Sequence, residues 1–170
     1  MNTLKYQWAR LLVKLTGNDE HYARLFRKAG AKIGKNCHIY SNILTSESFL
    51  IEIGDNVTVS SEVIFVTHDN SVIKIDPTKP NLFGRITVGN NCFLGQRSTL
   101  LYGVTLADNI IVAAGSVVTK SFDESNIIIG GNPARKISTF EKMSESLDKA
   151  LSRENVRKVL EENPDKLIRR

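Results

Sequence analysis

Val88-Gly-Asn-Asn-Cys-Phe and Leu94-Gly-Gln-Arg-Ser-Thr are two consecutive hexads that begin with an aliphatic residue. The same aliphatic position recurs at Leu100, Leu106, Val112 and Val118. A period of six is too long for the two-residue alternation of an ordinary strand and too short for a repeated pair of helices. It predicts a parallel β-helix in which each hexad forms one side of a three-sided coil.

Earlier hexads extend this coil toward the N-terminus, with two interruptions. They begin at Ile33 and Ile39, lose phase across 45–52, and resume at Ile53. The pattern is lost again over about residues 69–85, a stretch that contains Pro77 and Pro80. We interpret this stretch as a loop pushed out of the coil, and loops on a rigid scaffold commonly carry function.

Helices are predicted at both ends of the coil domain, residues 31–137. Residues 1–30 are predicted to form a helical cap, with a second helix from about Asp19 to Lys28 that stops at Gly30. The apolar face of the first helix is formed by Leu4, Trp8, Leu11, Leu12 and Leu15. Its polar face is basic, so contact with an anionic membrane surface is the alternative to a cap. Residues 138–170 are predicted to be helical, with an apolar stripe at Phe140, Met143, Leu147 and Leu151.

Composition narrows the function classes. The 170 residues carry a net charge of +5, which favours an anionic partner such as a phosphate-bearing cofactor. Arg residues do not alternate with aromatic residues as in nucleic-acid-binding surfaces, so no nucleic-acid partner is predicted. The N-terminus resembles neither a signal peptide nor a membrane span. Cys37 and Cys92 each occupy the fifth position of a hexad, which predicts buried free thiols and a reducing, cytoplasmic location.

Two further segments carry a family resemblance. They are Ala113-Ala-Gly-Ser-Val-Val-Thr-Lys120 and Ile129-Gly-Gly-Asn-Pro-Ala-Arg135. Together with the hexads and the His68 loop, they resemble the hexapeptide-repeat acetyltransferases, nearest to the maltose, galactoside, xenobiotic and polysaccharide O-acetyltransferases. The resemblance implies a left-handed parallel β-helix, a homotrimer with active sites between subunits, and acetyl-CoA as co-substrate without a metal.

The chemistry implied by the resemblance needs a base. A sugar hydroxyl is a poor nucleophile near neutral pH, and imidazole is suited to take its proton. His68 resembles the family's catalytic histidine, whereas His21 and His38 are expected to have packing or surface roles. Asp69 is predicted to orient His68 or to bind substrate. Weaker candidates for the orienting group are Asn56 and Glu62.

The second half of the coil is predicted to bind acetyl-CoA. By resemblance, Ala114 admits the pantetheine arm, and Gly95 is a candidate donor near the thioester. The same resemblance places Thr119 and Lys120 near the adenosine and its phosphates. Arg135, with Lys136, is predicted to pair with the 3′-phosphate. The hexad at Leu94 departs from the family pattern because it carries the bulkier Gln96 and Arg97.

The acceptor pocket is assigned to the loop over residues 69–85. Its predicted contacts are Asn70, Lys79, Asn81 and Arg85. The predicted activity is transfer of acetyl from acetyl-CoA to a hydroxyl of a surface polysaccharide, a glycan precursor or a free sugar. N-acetylation of an amino sugar and a non-catalytic scaffold are the alternatives. A zinc hydratase of the γ-carbonic anhydrase type needs three converging histidines, which this sequence does not supply.

Overall fold

Short parallel strands follow three sides of the first of two compact units, which comprise residues 1–137 and 138–170. The computed structural model describes residues 20–145 without a gap, together with residues 7–8, 11, 15, 147, 150 and 152–162. Sheet A consists of β1 (Lys32–Ile33), β3 (Ile51–Ile53), β8 (Ile86–Val88) and β11 (Thr105–Leu106). Sheet B consists of β2 (His38–Ile39), β4 (Thr58–Val59), β9 (Phe93–Leu94), β12 (Ile110–Val112), β14 (Ile127–Gly131) and β15 (Ala134–Thr139). Sheet C consists of β5 (Ile64–Phe65), β10 (Thr99–Leu100) and β13 (Val117–Val118).

The predicted hexads supply one strand to each side of this coil. Val88 pairs with Leu106 in sheet A, Leu94 with Val112 in sheet B, and Leu100 with Val118 in sheet C. All six residues are 1% exposed or less. Because equivalent residues of successive coils lie in register, the aliphatic side chains stack into one continuous core. The prediction of a mainly β fold with flanking helices is confirmed.

The turns between sheets A and B, here called the A–B corner, explain the asparagines of the hexads. Asn36, Asn56, Asn91 and Asn109 all have φ between 54° and 57°. This left-handed region is one that asparagine tolerates better than most residues with a side chain. Asn56 donates to Asn91, and Asn91 donates to Asn109, each at 2.7 Å. The fourth hexad position therefore serves to turn the corner.

The first coil is irregular on its third side. In the described segment between β2 and β3, no strand joins sheet C, and a short 3₁₀ helix covers Ser48–Leu50. This is the stretch where the hexads lose phase. This irregular stretch carries Glu47, which lies next to His68, the residue of the next coil that follows sheet C.

The loop after β5 lies outside the coil and begins as a hairpin. β6 (His68–Asp69) pairs antiparallel with β7 (Leu82–Phe83), and a 3₁₀ helix covers Ser71–Lys74 between them. The chain re-enters at Gly84, whose amide donates to Thr67 O at 3.1 Å. A Cβ on Gly84 would lie 2.4 Å from Gly103 N, so only glycine allows this approach.

Helix α1 (Glu20–Lys28) confirms the second predicted helix and packs on the first coil. It buries Tyr22, Ala23 and Phe26, and Arg27 donates to the backbone oxygens of Ile33 and Gly34. Of the residues predicted for the earlier helix, Trp8, Leu11 and Leu15 are helical and exposed, whereas Leu4 and Leu12 lie outside the described residues.

The described residues of the second unit include two α-helices. Helix α2 (Phe140–Ser144) is capped by Thr139, whose hydroxyl accepts from Lys142 N, and α3 spans Arg153–Glu162. Met143 and Leu147 of the predicted apolar stripe are exposed, and Leu151 lies outside the described residues. Among the helices that the structure describes, none has the length and apolar character that a membrane crossing requires.

Candidate active site

His68 stands where the chain leaves sheet C and starts the hairpin. Its cross-strand partner is Phe83, and their ring centroids lie 5.8 Å apart with the planes tilted by 44°. Directly opposed residues of an antiparallel pair project from the same face. The His68 side chain is 43% exposed, so a molecule in solution can reach the imidazole.

Glu47 of the preceding coil binds this histidine. Its Oε2 lies 3.0 Å from His68 Nδ1 and accepts a hydrogen bond from the Thr67 hydroxyl at 2.9 Å. The bond from Thr67 and, next, that with His68 hold the pKa of the Glu47 carboxyl below its ordinary value of 4.5. An ionised carboxylate only accepts, so this contact assigns the proton to Nδ1, and in a neutral imidazole Nε2 then holds the lone pair.

Asp69 takes a different position from the one predicted for an orienting group. Its Oδ1 accepts from Ser71 N at 2.8 Å, and its Oδ2 lies 3.4 Å from the Tyr102 hydroxyl, which donates to it. The bonds from Ser71 lower the pKa of the Asp69 carboxyl. Successive side chains of a strand point to opposite faces, which separates Asp69 from the imidazole face. The structure thus places Glu47, rather than Asp69, on Nδ1 of His68.

The two weaker candidates for the orienting group have other partners. Asn56 bonds Asn91 within the A–B corner, and Glu62 accepts from Arg97 Nε at 2.6 Å. Of the other histidines, His21 lies on α1 and His38 on β2.

The predicted acceptor contacts lie in three places. Asn70 and Asn81 directly follow and precede the Asp69–Leu82 pair, so they lie together at the outer end of the hairpin. Arg85 instead donates to Glu52 Oε1 at 2.7 Å on the outer face of sheet A. Lys79 is exposed on the loop.

Gly95 and Ala114 come together at the turns between sheets B and C, the B–C corner. They line a groove of about 490 Å³ whose apolar side chains include Tyr40, Phe93 and Ile111. A Cβ on Gly95 would lie 2.5 Å from Ala114 N, so neighbouring coils approach here as closely as glycine permits. The Gly95 amide is already bonded to Val112 O at 2.8 Å, and the Ala114 amide has no acceptor among the described residues.

The departure from the family pattern lies beside this groove. Gln96 lines it, and Arg97 pairs with Glu62 in the coil below. This ion pair raises the pKa of the Arg97 guanidinium. Glu62, Arg97 and Gly115 occupy equivalent turns of successive coils with φ between 60° and 71°. The bulkier residues therefore extend outward at the corner and are not packed into the coil.

The other predicted cofactor residues lie elsewhere. Thr119 and Lys120 are exposed just after sheet C, in the turns to sheet A that also carry His68, here called the C–A corner. Arg135 and Lys136 are exposed on β15, where Lys136 Nζ lies 2.5 Å from Glu124 Oε1. A single chain thus brings Gly95 to Ala114 at one corner and places His68 at another.

Glu47 is the residue that the sequence reasoning missed. It precedes His68 by 21 residues, close to the 20 residues that separate His38 from its partner Thr58 one coil later. The available signal was a carboxylate about one coil before the histidine. The irregular stretch 45–52 concealed it because its residues could not be assigned to a side of the coil.

Comparison with known proteins identifies a family model and relatives that this chain matches. The family model described as "Hexapeptide repeat of succinyl-transferase" matches residues 85–120. The protein CapG of Staphylococcus aureus is 42% identical over 120 residues, which cover 68% of this chain and 69% of CapG. The galactoside O-acetyltransferase of Escherichia coli K12 is 31% identical over 106 residues, covering 62% of this chain and 52% of that enzyme.

A solved structure shows the same fold. The hexapeptide-repeat acetyltransferase of Vibrio cholerae O1 biovar eltor, in complex with acetyl-CoA, superposes with a TM-score of 0.59. It is 23% identical, and the match covers 80% of this chain and 86% of that one. At 23% identity, this similarity shows a shared fold and nothing further.

Proposed function

The chain belongs to the hexapeptide-repeat acetyltransferase family, and from this premise we propose that it transfers acetyl from acetyl-CoA to a sugar hydroxyl. The observation that carries the proposal is the contact between His68 Nδ1 and an ionised Glu47 at 3.0 Å. A histidine held in this way presents Nε2 as a base, which acyl transfer to a hydroxyl requires.

The proposed reaction uses His68 twice. Nε2 takes the proton of the acceptor hydroxyl while that oxygen attacks the thioester carbonyl carbon. The tetrahedral intermediate then expels the CoA sulfur, which receives the proton back from the imidazolium. Glu47 stays ionised throughout, holds the ring and stabilises its positive charge. The Ala114 amide, which has no acceptor among the described residues, is the donor we assign to the developing oxyanion.

The groove at the B–C corner suits the pantetheine arm of acetyl-CoA. Gly95 and Ala114 leave backbone accessible to a peptide-like chain, and Tyr40, Phe93 and Ile111 offer apolar contact. Thr119, Lys120, Arg135 and Lys136 are the residues that we assign to the nucleotide end, where phosphates favour basic partners. Lys136 would exchange its present partner, Glu124, for phosphate.

A homotrimer of left-handed coils would complete the site. Within one chain, His68 and the Gly95–Ala114 groove lie at different corners of the coil. Threefold packing would set the C–A corner of one subunit against the B–C corner of the next, so that base and thioester meet across the interface. Asn70 and Asn81, at the outer end of the hairpin, would then contact the acceptor.

The test is acetyl transfer by the purified protein. CoA release is followed with a panel of sugar and glycan acceptors, and mass spectrometry checks for one added acetyl group. We expect His68→Ala to reduce kcat roughly 10²- to 10⁴-fold, whereas His21→Ala on α1 retains the rate. Wild-type turnover by His68→Ala would refute the base assignment, and transfer only to amino groups would make the protein an N-acetyltransferase.

A further inference from the structure

We propose that Phe83 is the platform on which the acceptor sugar stacks, so that the acceptor is a pyranose with an apolar face. This inference rests on the proposed function. It assigns a specificity-determining role to a loop residue that the sequence patterns did not single out.

The position of Phe83 relative to the base carries the inference. Phe83 and His68 are directly opposed across the hairpin, so both side chains project from one face. Their ring centroids are 5.8 Å apart, yet Phe83 remains 55% exposed. An aromatic ring this open beside a histidine leaves one face available to a ligand.

The reach of the reacting hydroxyl fits this arrangement. Glu47 occupies Nδ1 of His68, so a hydroxyl must bind at Nε2, about 3 Å from that atom. A pyranose ring that carries this hydroxyl is about as wide as the separation between the His68 and Phe83 rings. Its face of C–H groups can therefore contact Phe83 while its hydroxyl contacts His68.

The backbone around Phe83 holds the platform in place. The next residue, Gly84, donates to Thr67 O at 3.1 Å and packs on the backbone of Gly103. The two strands of the hairpin are thus held to the coil at their base, next to His68. Asn70 and Asn81 supply amide donors and acceptors near the same hairpin for the remaining sugar hydroxyls.

Phe83→Leu tests the platform, because leucine keeps apolar packing against His68 but lacks the aromatic face. We expect KM for the sugar to rise about 3- to 10-fold with kcat within twofold. KM for acetyl-CoA and transfer to glycerol, which has no ring to stack, stay unchanged. Phe83→Trp restores a low KM. Leu82→Ala is the matched control, because this exposed neighbour projects from the opposite face of the hairpin.

The outcomes separate this inference from the proposed function. Unchanged sugar KM in Phe83→Leu, or an equal loss of kcat with sugar and glycerol, would show that Phe83 only packs on the histidine. Saturation-transfer NMR measures binding of the sugar at Phe83 independently of acetyl transfer. A wild-type protein that binds sugars through Phe83 without transferring acetyl would overturn only the proposed function. One that neither binds nor acetylates sugars would overturn both.

Discussion

The carboxylate of Glu47 lies 3.0 Å from Nδ1 of His68 and joins two successive coils at the C–A corner. The same oxygen accepts from Thr67, which is 2% exposed. A buried hydroxyl thus positions an ionised carboxylate, and the carboxylate positions an exposed imidazole. This chain of contacts makes His68 a better base candidate than a histidine on a loop alone.

Glu47→Gln should lower kcat by roughly 10²- to 10⁴-fold with little change in KM for acetyl-CoA. The amide has similar shape, but it can donate to Nδ1 and so stabilise the wrong ring tautomer. Steady-state kinetics and the ¹⁵N shifts of the His68 ring would measure both effects. Glu141→Gln, on α2, is the control for loss of a surface carboxylate. An unchanged tautomer in Glu47→Gln would contradict the orienting role.

Thr67→Val should raise the pKa of the Glu47 carboxyl toward its ordinary value of 4.5. The Thr67 hydrogen bond is the largest cause of the lowered pKa. A lowered folded-state pKa contributes stability above the ordinary value that is lost as the pH falls through the folded-state pKa. The variant should therefore lose less stability on acidification below about pH 4.5. Carbon-13 titration of Glu47 and urea unfolding against pH measure these changes.

A matched substitution on the loop serves as the control for Thr67→Val. The hydrogen bond from Thr78 is likewise the largest cause of the lowered pKa of Asp76. Thr78→Val should raise the pKa of Asp76 and leave Glu47 unaffected. If Thr67→Val left the Glu47 titration unchanged, the contact would have no energetic role.

Gly95→Ala should weaken acetyl-CoA binding and destabilise the coil by about 1–3 kcal/mol. The new Cβ would lie 2.5 Å from Ala114 N and 2.6 Å from Val112 O, so backbone has to move. Calorimetry and urea unfolding measure the two effects. Gly103→Ala is the comparison, because a Cβ on Gly103 meets nothing within 4 Å. Its φ of 80° alone should reduce the free energy of unfolding, by about 1 kcal/mol. Equal stability of both variants would contradict the close approach.

The two cysteines should react with a thiol reagent only when the chain unfolds. Cys37 is 4% exposed and Cys92 is 2% exposed, and burial raises the pKa of both thiols above the ordinary 9.0. At pH 8 the thiols stay protonated and therefore weakly nucleophilic. Reaction with a disulfide reagent, with and without urea, measures this. Rapid modification of the native protein would contradict the packing of the fifth hexad position.

Regular hexads made most of the coil predictable. The aliphatic residue of each hexad from Val88 to Val118 is buried in the sheet that the period assigns to it. The free, buried state of both cysteines is confirmed. The stretch 45–52 was not predictable, because its contacts depend on a coil that follows later in the chain.

Position around the coil explains which site residues the sequence could bring together. Gly95 and Ala114 are the second and third residues of hexads that lie one coil apart, so the period brings them close to each other. Asp69 is adjacent in sequence to His68, and the sequence left open whether it orients the histidine or binds substrate. In a strand, adjacency separates side chains onto opposite faces, whereas the coil brings Glu47 to the histidine from 21 residues away.

The amino-acid sequence by itself determined the coil, its inward aliphatic stack and the family, because these depend on a local period repeated many times. Only the tertiary structure decided which carboxylate holds His68 and which aromatic ring stands beside it. The contact of Glu47 with His68 involves the irregular stretch 45–52, and the contact of Phe83 with His68 involves β7 of the hairpin. The six-residue period does not give the register of either segment. The packing of the coil brings these segments to one corner, and that packing selects Glu47 and Phe83.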